Sequence, residues 1–168
     1  MNTAIINTDS YEKHDTGDGH PEQPKRVIAI KEKLEKRSDL IWEKPDNVPD
    51  DILAMTHSKK YIDNLKSAFP QKGLKFLDGD TVISPDSKRA VFDAAGSTIR
   101  AIDGIEKNQF KNAFCLSRPP GHHAEKNKAM GFCCISNAGI ATNYLTSKYK
   151  YKKVACVDFD VHWGNGNY

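Results

Sequence analysis

Two short apolar runs, Ala113 to Leu116 and Val154 to Phe159, stand on either side of a stretch with helical spacing, and that order leaves few architectures open. Both runs read as buried strands. Between them, Ser136 or Asn137 is placed to cap a helix carrying Ile140, Tyr144 and Leu145. Strand, helix, strand at this spacing predicts a βαβ unit and hence a parallel sheet. The fold class expected is α/β, a mostly parallel sheet flanked by helices. Ligands bind such sheets beyond the carboxyl ends of the strands. The two segments richest in chemistry, Arg118 to Glu125 and Asp158 to Gly166, sit at those two ends.

The rest of the chain supplies the flanking elements. Ala4 to Ile6 is a short apolar run suited to a first strand, followed by a loop rich in Asp, Gly and His from Asp9 to His20. Pro21 and Pro24 open a helical stretch with Val27, Ile30 and Leu34 on one face. Ser58 can cap a helix carrying Tyr61, Ile62, Leu65 and Phe69, which Pro70 ends. Ser84, Pro85 and Asp86 combine a cap, a first-turn proline and an acid at the positive helix end. The helix they start carries Val91, Ala94, Ala95, Ile99, Ile102 and Ile105, and its small residues suit close packing on a sheet. No internal repeat or low-complexity segment interrupts this order.

A length of 168 residues suits one domain or part of a larger one. With 25 Lys and Arg against 22 Asp and Glu, the net charge is only +3, and the lysines are scattered. That balance argues against direct nucleic-acid binding. The densest basic run, Lys148, Lys150, Lys152 and Lys153, lies between two predicted elements and reads as a solvated loop. No secretory signal and no apolar run of bilayer length is present. Cys115 and Cys156 fall inside the strand-like runs as small buried hydrophobes. Cys133 and Cys134 are neighbours that rarely bridge, and no CxxC spacing occurs. A reduced, cytoplasmic protein is the expectation.

Side chains alternate along a strand, so Asp158, Asp160 and His162 point the same way while the second strand persists. Two carboxylates and an imidazole converging at a strand end are costly to desolvate without a cation. Zinc accepts both Asp oxygen and His nitrogen. The plainer reading, a capped strand end with its acids in solvent, would suffice for a lone DxD. The ligand-type His and the glycine-rich turn that follow favour a metal. In the other segment, Arg118-Pro119-Pro120-Gly121-His122-His123-Ala124-Glu125, the proline pair fixes a turn and both histidines can face one pocket. Histidine is the side chain suited to exchanging protons near neutral pH. Two surface histidines beside a turn would be the alternative if the neighbouring strand end carried nothing.

RPPGHHAE, then Met130-Gly131-Phe132-Cys133, then DFDVHWGNG resemble the histone deacetylase and acetylpolyamine amidohydrolase superfamily, in the same order and at fitting spacing. His20-Pro21-Glu22-Gln23-Pro24-Lys25-Arg26, Thr56-His57-Ser58 with Tyr61, and Leu77-Asp78-Gly79-Asp80-Thr81 extend the likeness nearly end to end. The resemblance implies an arginase/deacetylase-like fold and Zn2+ held by Asp160 and His162. It further implies His123 as the general base, and His122 as its electrostatic partner oriented by Asp158. Asn165 matches the position that orients His123, and Asn there resembles the class II and bacterial branch. Gly131 and Phe132 match the wall of an acyl-lysine channel, and Asp78 matches a rim acid that grips the substrate backbone. Asp158, with the main-chain oxygens of Asp160 and His162, is implied to help hold a structural K+. Trp163 stands where a second His is common, from which altered packing is expected.

The activity implied is a zinc-dependent amide hydrolysis that removes acetyl groups from acetyl-lysine in a protein or from an acetylated polyamine. Residues 1–168 would be the amino-terminal part of a single catalytic domain, the fold incomplete in this chain. The family's third metal ligand, an Asp, and its transition-state Tyr match no position up to Tyr168. Weak zinc binding and no significant turnover by the chain alone are the expectation. Three other readings stand beside this one. An arginase-like manganese ureohydrolase shares the architecture, but RPPGHH and the Gly131-Phe132-Cys133 segment argue against it. A haloacid-dehalogenase-like phosphatase fits DxD and Val161 but not His162 or the tandem histidines. A truncated, non-catalytic fragment that binds a partner is the third.

Overall fold

The computed structural model describes residues 2–167. Its organising element is β1 (Thr3–Ile6), which pairs in parallel on both sides, with β2 (Leu40–Glu43) and with β5 (Asn112–Cys115). The strand order is β2-β1-β5. Ala4, Ile5 and Ile6 are all buried, as a central parallel strand covered on both faces requires. Ile5 faces a cluster with Tyr11, Val27, Ala90, Ala94 and Leu116, whereas Ala4 and Ile6 face Ala101 and Phe110. A separate two-stranded antiparallel ribbon, β3 (Lys75–Phe76) with β4 (Val82–Ile83), carries the turn at Asp78 to Thr81. The α/β class expected from the sequence, a mostly parallel sheet flanked by helices, is the one found.

Around the sheet lie α1 (Ser10–Lys13), α2 (Pro24–Leu34), α3 (Asp50–Leu53), α4 (Lys59–Ala68), α5 (Ser87–Glu106) and α6 (Asn137–Lys148). The largest cluster of buried side chains lies among α3 to α6, with Leu53, Ile62, Leu65, Val91, Ile99, Ile140 and Tyr144. Two of the predicted caps form: Ser58 accepts from the Tyr61 amide, and Ser136 from the Gly139 amide. The α5 start differs from expectation. Ser84 does not cap it with its side chain; its amide donates to Ser87 Oγ and its carbonyl accepts from the Ser87 amide. In α2, Val27 is buried but Ile30 is solvent-facing, because the adjacent Ile28 takes the packing position. Lys148 is not free in a loop either. It lies in the last turn of α6 and joins Tyr144, Tyr149 and Lys107 on the Asp103 carboxylate, tying α5 to α6.

The second predicted strand does not form. Residues 154–160 have no ladder bonds, and Val157 and Phe159 are 81% and 97% exposed. Cys156 is consequently exposed rather than buried, and the βαβ unit is present only as β5 and α6. An apolar run fixes what a segment would bury, but pairing needs a neighbour that offers both ladder groups and a covered face. Here the segment touches the body through side-chain bonds instead. No helix among the described residues is long and apolar enough to cross a membrane.

Candidate active site

The turn bearing the tandem histidines follows β5 and is set from beneath by Arg118. Its Nε and Nη2 donate to Glu22 Oε1 and Oε2 at 2.6 and 2.7 Å, and its Nη1 donates to the carbonyls of Tyr11 and His14. Glu22 and Arg118 are 1% and 2% exposed. A bidentate guanidinium–carboxylate pair with its remaining donor satisfied is the geometry that makes a buried ion pair tolerable. His14 lies beside it, with Nε2 at 3.6 Å from Glu22 Oε2. Burial, followed by the Arg118 charge, pushes the His14 imidazole down to about 4. The Arg118–Pro119 peptide is cis.

The rings of His122 and His123 lie tilted at 49° to each other with centroids 4.1 Å apart, and each has its Nδ1 engaged by a different partner. Asp158 Oδ2 accepts from His122 Nδ1 at 3.0 Å. Asn165 Oδ1 lies 2.7 Å from His123 Nδ1. The hydrogen bond from His122, followed by that from the Asp160 amide, holds the Asp158 carboxyl below its ordinary range. Asn165 opens a 3-10 turn, Asn165–Asn167, docked on the histidine turn by the Gly166 amide, which donates to the His122 carbonyl at 2.7 Å. Gly166 has to be glycine here, since a Cβ would fall 2.3 Å from the Ala124 carbonyl oxygen.

Asp160 and His162 lie on the far side of the same pocket. Asp160 Oδ2 is 2.9 Å from His162 Nδ1 and also accepts from the His162 amide. Those two bonds, the amide first, hold the Asp160 carboxyl low. The His162 ring centroid is 6.0 Å from that of His123. The pocket, about 390 Å³, is closed by Gly131 and Phe132 on one side and by Pro21, Glu22 and Arg26 on another. Gly131 has φ +56°, and a Cβ there would lie 2.4 Å from His123 Cδ2, so a side chain at this position would displace the ring. Phe132 also has a positive φ, 69°, and packs edge-on against His20 at 4.8 Å between centroids. Trp163 is 73% exposed, off the pocket wall.

Thus the structure brings His122, His123, Asp158, Asp160, His162, Asn165, Gly131 and Phe132 together. It does not bring Asp78. That carboxylate accepts from the amides of Asp80 and Thr81 and shapes its own turn, and Asp80 lines the pocket instead. An Asp followed by Gly habitually bonds the backbone two and three residues on, and this signal was available in the sequence. Burial would raise the Asp78 carboxyl, but the hydrogen bonds from Thr81 and Asp80 outweigh it and hold it low. Glu22 as the partner of Arg118, and Glu125 as a partner of Asn165, are further residues of the site that sequence reasoning did not single out.

The family described as the histone deacetylase domain matches residues 20–168. The Synechocystis protein slr0245 is 40% identical over 97% of this chain and 55% of its own length. A histone deacetylase-like amidohydrolase of Pseudomonas aeruginosa is 33% identical over 88% of this chain and 40% of its own. The crystal structure of the HDA15 HD domain superposes with a TM-score of 0.88 at 32% identity, covering 98% of this chain and 48% of that one. The chain therefore spans about half the length of that solved structure and of the Synechocystis relative. With the family model matched over residues 20–168 and the fold shared with a solved relative at 32% identity, the chain belongs to the histone deacetylase family.

Proposed function

We propose that residues 1–168 form the amino-terminal part of one catalytic domain of a zinc-dependent amide hydrolase, which removes acetyl groups from acetyl-lysine or an acetylated polyamine. The observation that carries this reading is the division of labour in one pocket. Two imidazoles have Nδ1 bonded to Asn165 and Asp158, and a third imidazole nitrogen converges with a carboxylate oxygen across from them. His162 Nδ1 and Asp160 Oδ2 are a nitrogen and an oxygen donor of the kind zinc accepts, already within 2.9 Å of each other. They fit two positions of a zinc site. No group of three or more His, Cys, Asp and Glu placed to hold a metal occurs among the described residues. A catalytic zinc commonly has three protein ligands, so two alone would hold it weakly.

When bound, zinc polarises an amide carbonyl and acidifies a water. The protein's part is to place and move the proton. With Nδ1 turned to Asn165, His123 presents Nε2 as the nitrogen that accepts a proton from the attacking water and returns it to the departing amine. Asp158 fixes His122 beside it, and Phe132 lays an apolar face along the pocket for an aliphatic stem.

The test is metal binding and turnover, read separately. In zinc equilibrium dialysis of the purified chain, His162→Ala and Asp160→Asn should abolish the weak binding, whereas His123→Ala should keep it. Acetyl-lysine peptide and acetylated polyamine are then assayed with a longer form of the protein, beside a guanidino substrate with manganese. Equal zinc loss in His123→Ala and His162→Ala, or turnover of the guanidino substrate alone, would overturn the assignment.

A further inference from the structure

An amide at position 165 leaves open a choice that a carboxylate would not. The oxygen and NH2 of Asn are nearly the same size, so the group can turn over at little steric cost. The two orientations instruct His123 oppositely. With Oδ1 on His123 Nδ1, that nitrogen must carry the proton, and Nε2 keeps its lone pair. Turned over, the NH2 donates to Nδ1, the proton belongs on Nε2, and the ring can no longer accept one there.

What Nδ2 faces decides between them. Glu125 Oε1 lies at 2.6 Å, Met130 Sδ at 3.4 Å and the His123 carbonyl at 3.5 Å. All three are acceptors, and only the bond to the Glu125 carboxylate is short. Turning the amide over would set its oxygen against that carboxylate. The Glu125 side chain is exposed, but its backbone is fixed: its amide donates to the Lys128 carbonyl and its carbonyl lies 2.9 Å from His57 Nδ1. His57 is 1% exposed and accepts the Ser136 amide on Nε2, so its Nδ1 is the donor to Glu125. A relay of defined polarity thus runs from the α6 cap through His57 to the Glu125 backbone, while the Glu125 carboxylate fixes Asn165 and Asn165 fixes His123.

We propose that Glu125 is a positioning residue: by accepting from Asn165 Nδ2 it locks the amide and thereby holds His123 in the Nδ1–H tautomer. The importance of that tautomer for turnover rests on the reading of His123 as proton carrier, but the tautomer itself is measurable without turnover.

The experiment is nitrogen NMR of the ring atoms in the histidine-labelled chain at about pH 8, above the ordinary imidazole pKa, with His123 assigned by its absence in His123→Gln. The chain as it stands should show His123 as the Nδ1–H form. Glu125→Ala should raise the Nε2–H form about tenfold, the scale of one hydrogen bond to a charged group, with the other histidines unchanged. Glu125→Gln keeps an acceptor and should restore most of the original ratio. In an Asn165→Asp background, where no amide can turn, Glu125→Ala should leave the tautomer alone. A wild-type Nε2–H form, an unshifted tautomer in a folded Glu125→Ala, or an equal shift in the Asn165→Asp background would each overturn the proposal. A confirmed tautomer together with undiminished turnover by His123→Gln in a longer, active form would instead count against His123 as the base.

Discussion

The two walls of the pocket are held by different means. The histidine wall stands on a buried ion pair, a buried histidine and the docked 3-10 turn, all anchored in the packed body. The wall with Asp160 and His162 belongs to a segment without ladder bonds, whose apolar residues Val157, Phe159 and Val161 face solvent. Its order comes from a local bond, Asp160 to His162, and from a side-chain tie to the body, Asp158 to His122. The paired histidines are thus carried on the packed body, while the groups on their Nδ1 atoms, Asp158 and Asn165, come from the carboxyl-terminal segment. The Asp160–His162 geometry rests on a few local contacts, and the contrast predicts where each side breaks.

The largest effect is expected at Arg118. Arg118→Met leaves the buried Glu22 carboxylate with only the solvent-facing Arg26, 3.5 Å away, and breaking a buried pair in this way typically costs about 3–5 kcal/mol. Urea denaturation should show most of that loss, with the His122 and His123 resonances shifting together. Asp158→Asn, on the exposed wall, should leave the urea midpoint nearly unmoved. If the two variants unfold alike, the contrast between the walls is false.

Acid provides the next test. His14 stays neutral when folded because burial, followed by the Arg118 charge, pushes it down to about 4, against about 6.5 for an unfolded chain. The unfolded state therefore binds the proton first. Stability from keeping His14 neutral is complete above about pH 6.5 and is lost as the pH falls to about 4. The full loss is about 3 kcal/mol over that window. His14→Gln should flatten this part of the stability profile while leaving the steeper carboxylate region below it. A profile unchanged by the substitution would mean that His14 is hydrated in solution.

The smallest effect sharpens the other side. Phe159→Ser should change folding stability by no more than about 0.5 kcal/mol, as for a surface position. It should nevertheless reduce self-association in sedimentation, because it removes the most exposed apolar side chain of a contiguous stripe. A clear drop in the unfolding midpoint would show that Phe159 is covered in solution and that packing supports this wall.

Much of the site was legible from the sequence because it is written in local chemistry. Adjacent histidines after a proline pair, and DxDxH before glycines, needed only the fold to face them, and the caps at Ser58 and Ser136 needed only their own turns. What failed depended on partners elsewhere. Val154 to Phe159 has strand composition but finds no ladder, whereas Leu40 to Glu43, less conspicuous, becomes β2 because β1 lies beside it. Asp78 is the exception: the resemblance pointed to it, and a local turn that the sequence did carry consumes its carboxylate. The Glu22–Arg118 pair spans 96 positions, and no periodicity or spacing rule links residues so far apart.

That same span has a consequence in time. At a synthesis rate of about 5–20 residues per second, Glu22 emerges about 5–20 s before Arg118 exists, given their separation of 96 residues. Helices such as α2 and α4 can form within microseconds of leaving the ribosome. The carboxylate must meanwhile wait in water, since Arg26, its other cation at 3.5 Å, is itself solvent-facing and would not compensate it in the interior. The Tyr11 and His14 carbonyls, 107 and 104 positions from Arg118, wait with it. The Glu22–Arg118 bond can therefore close only when the guanidinium arrives, and the histidine turn gains its remaining support later still, once Asp158, Asn165 and Gly166 have followed.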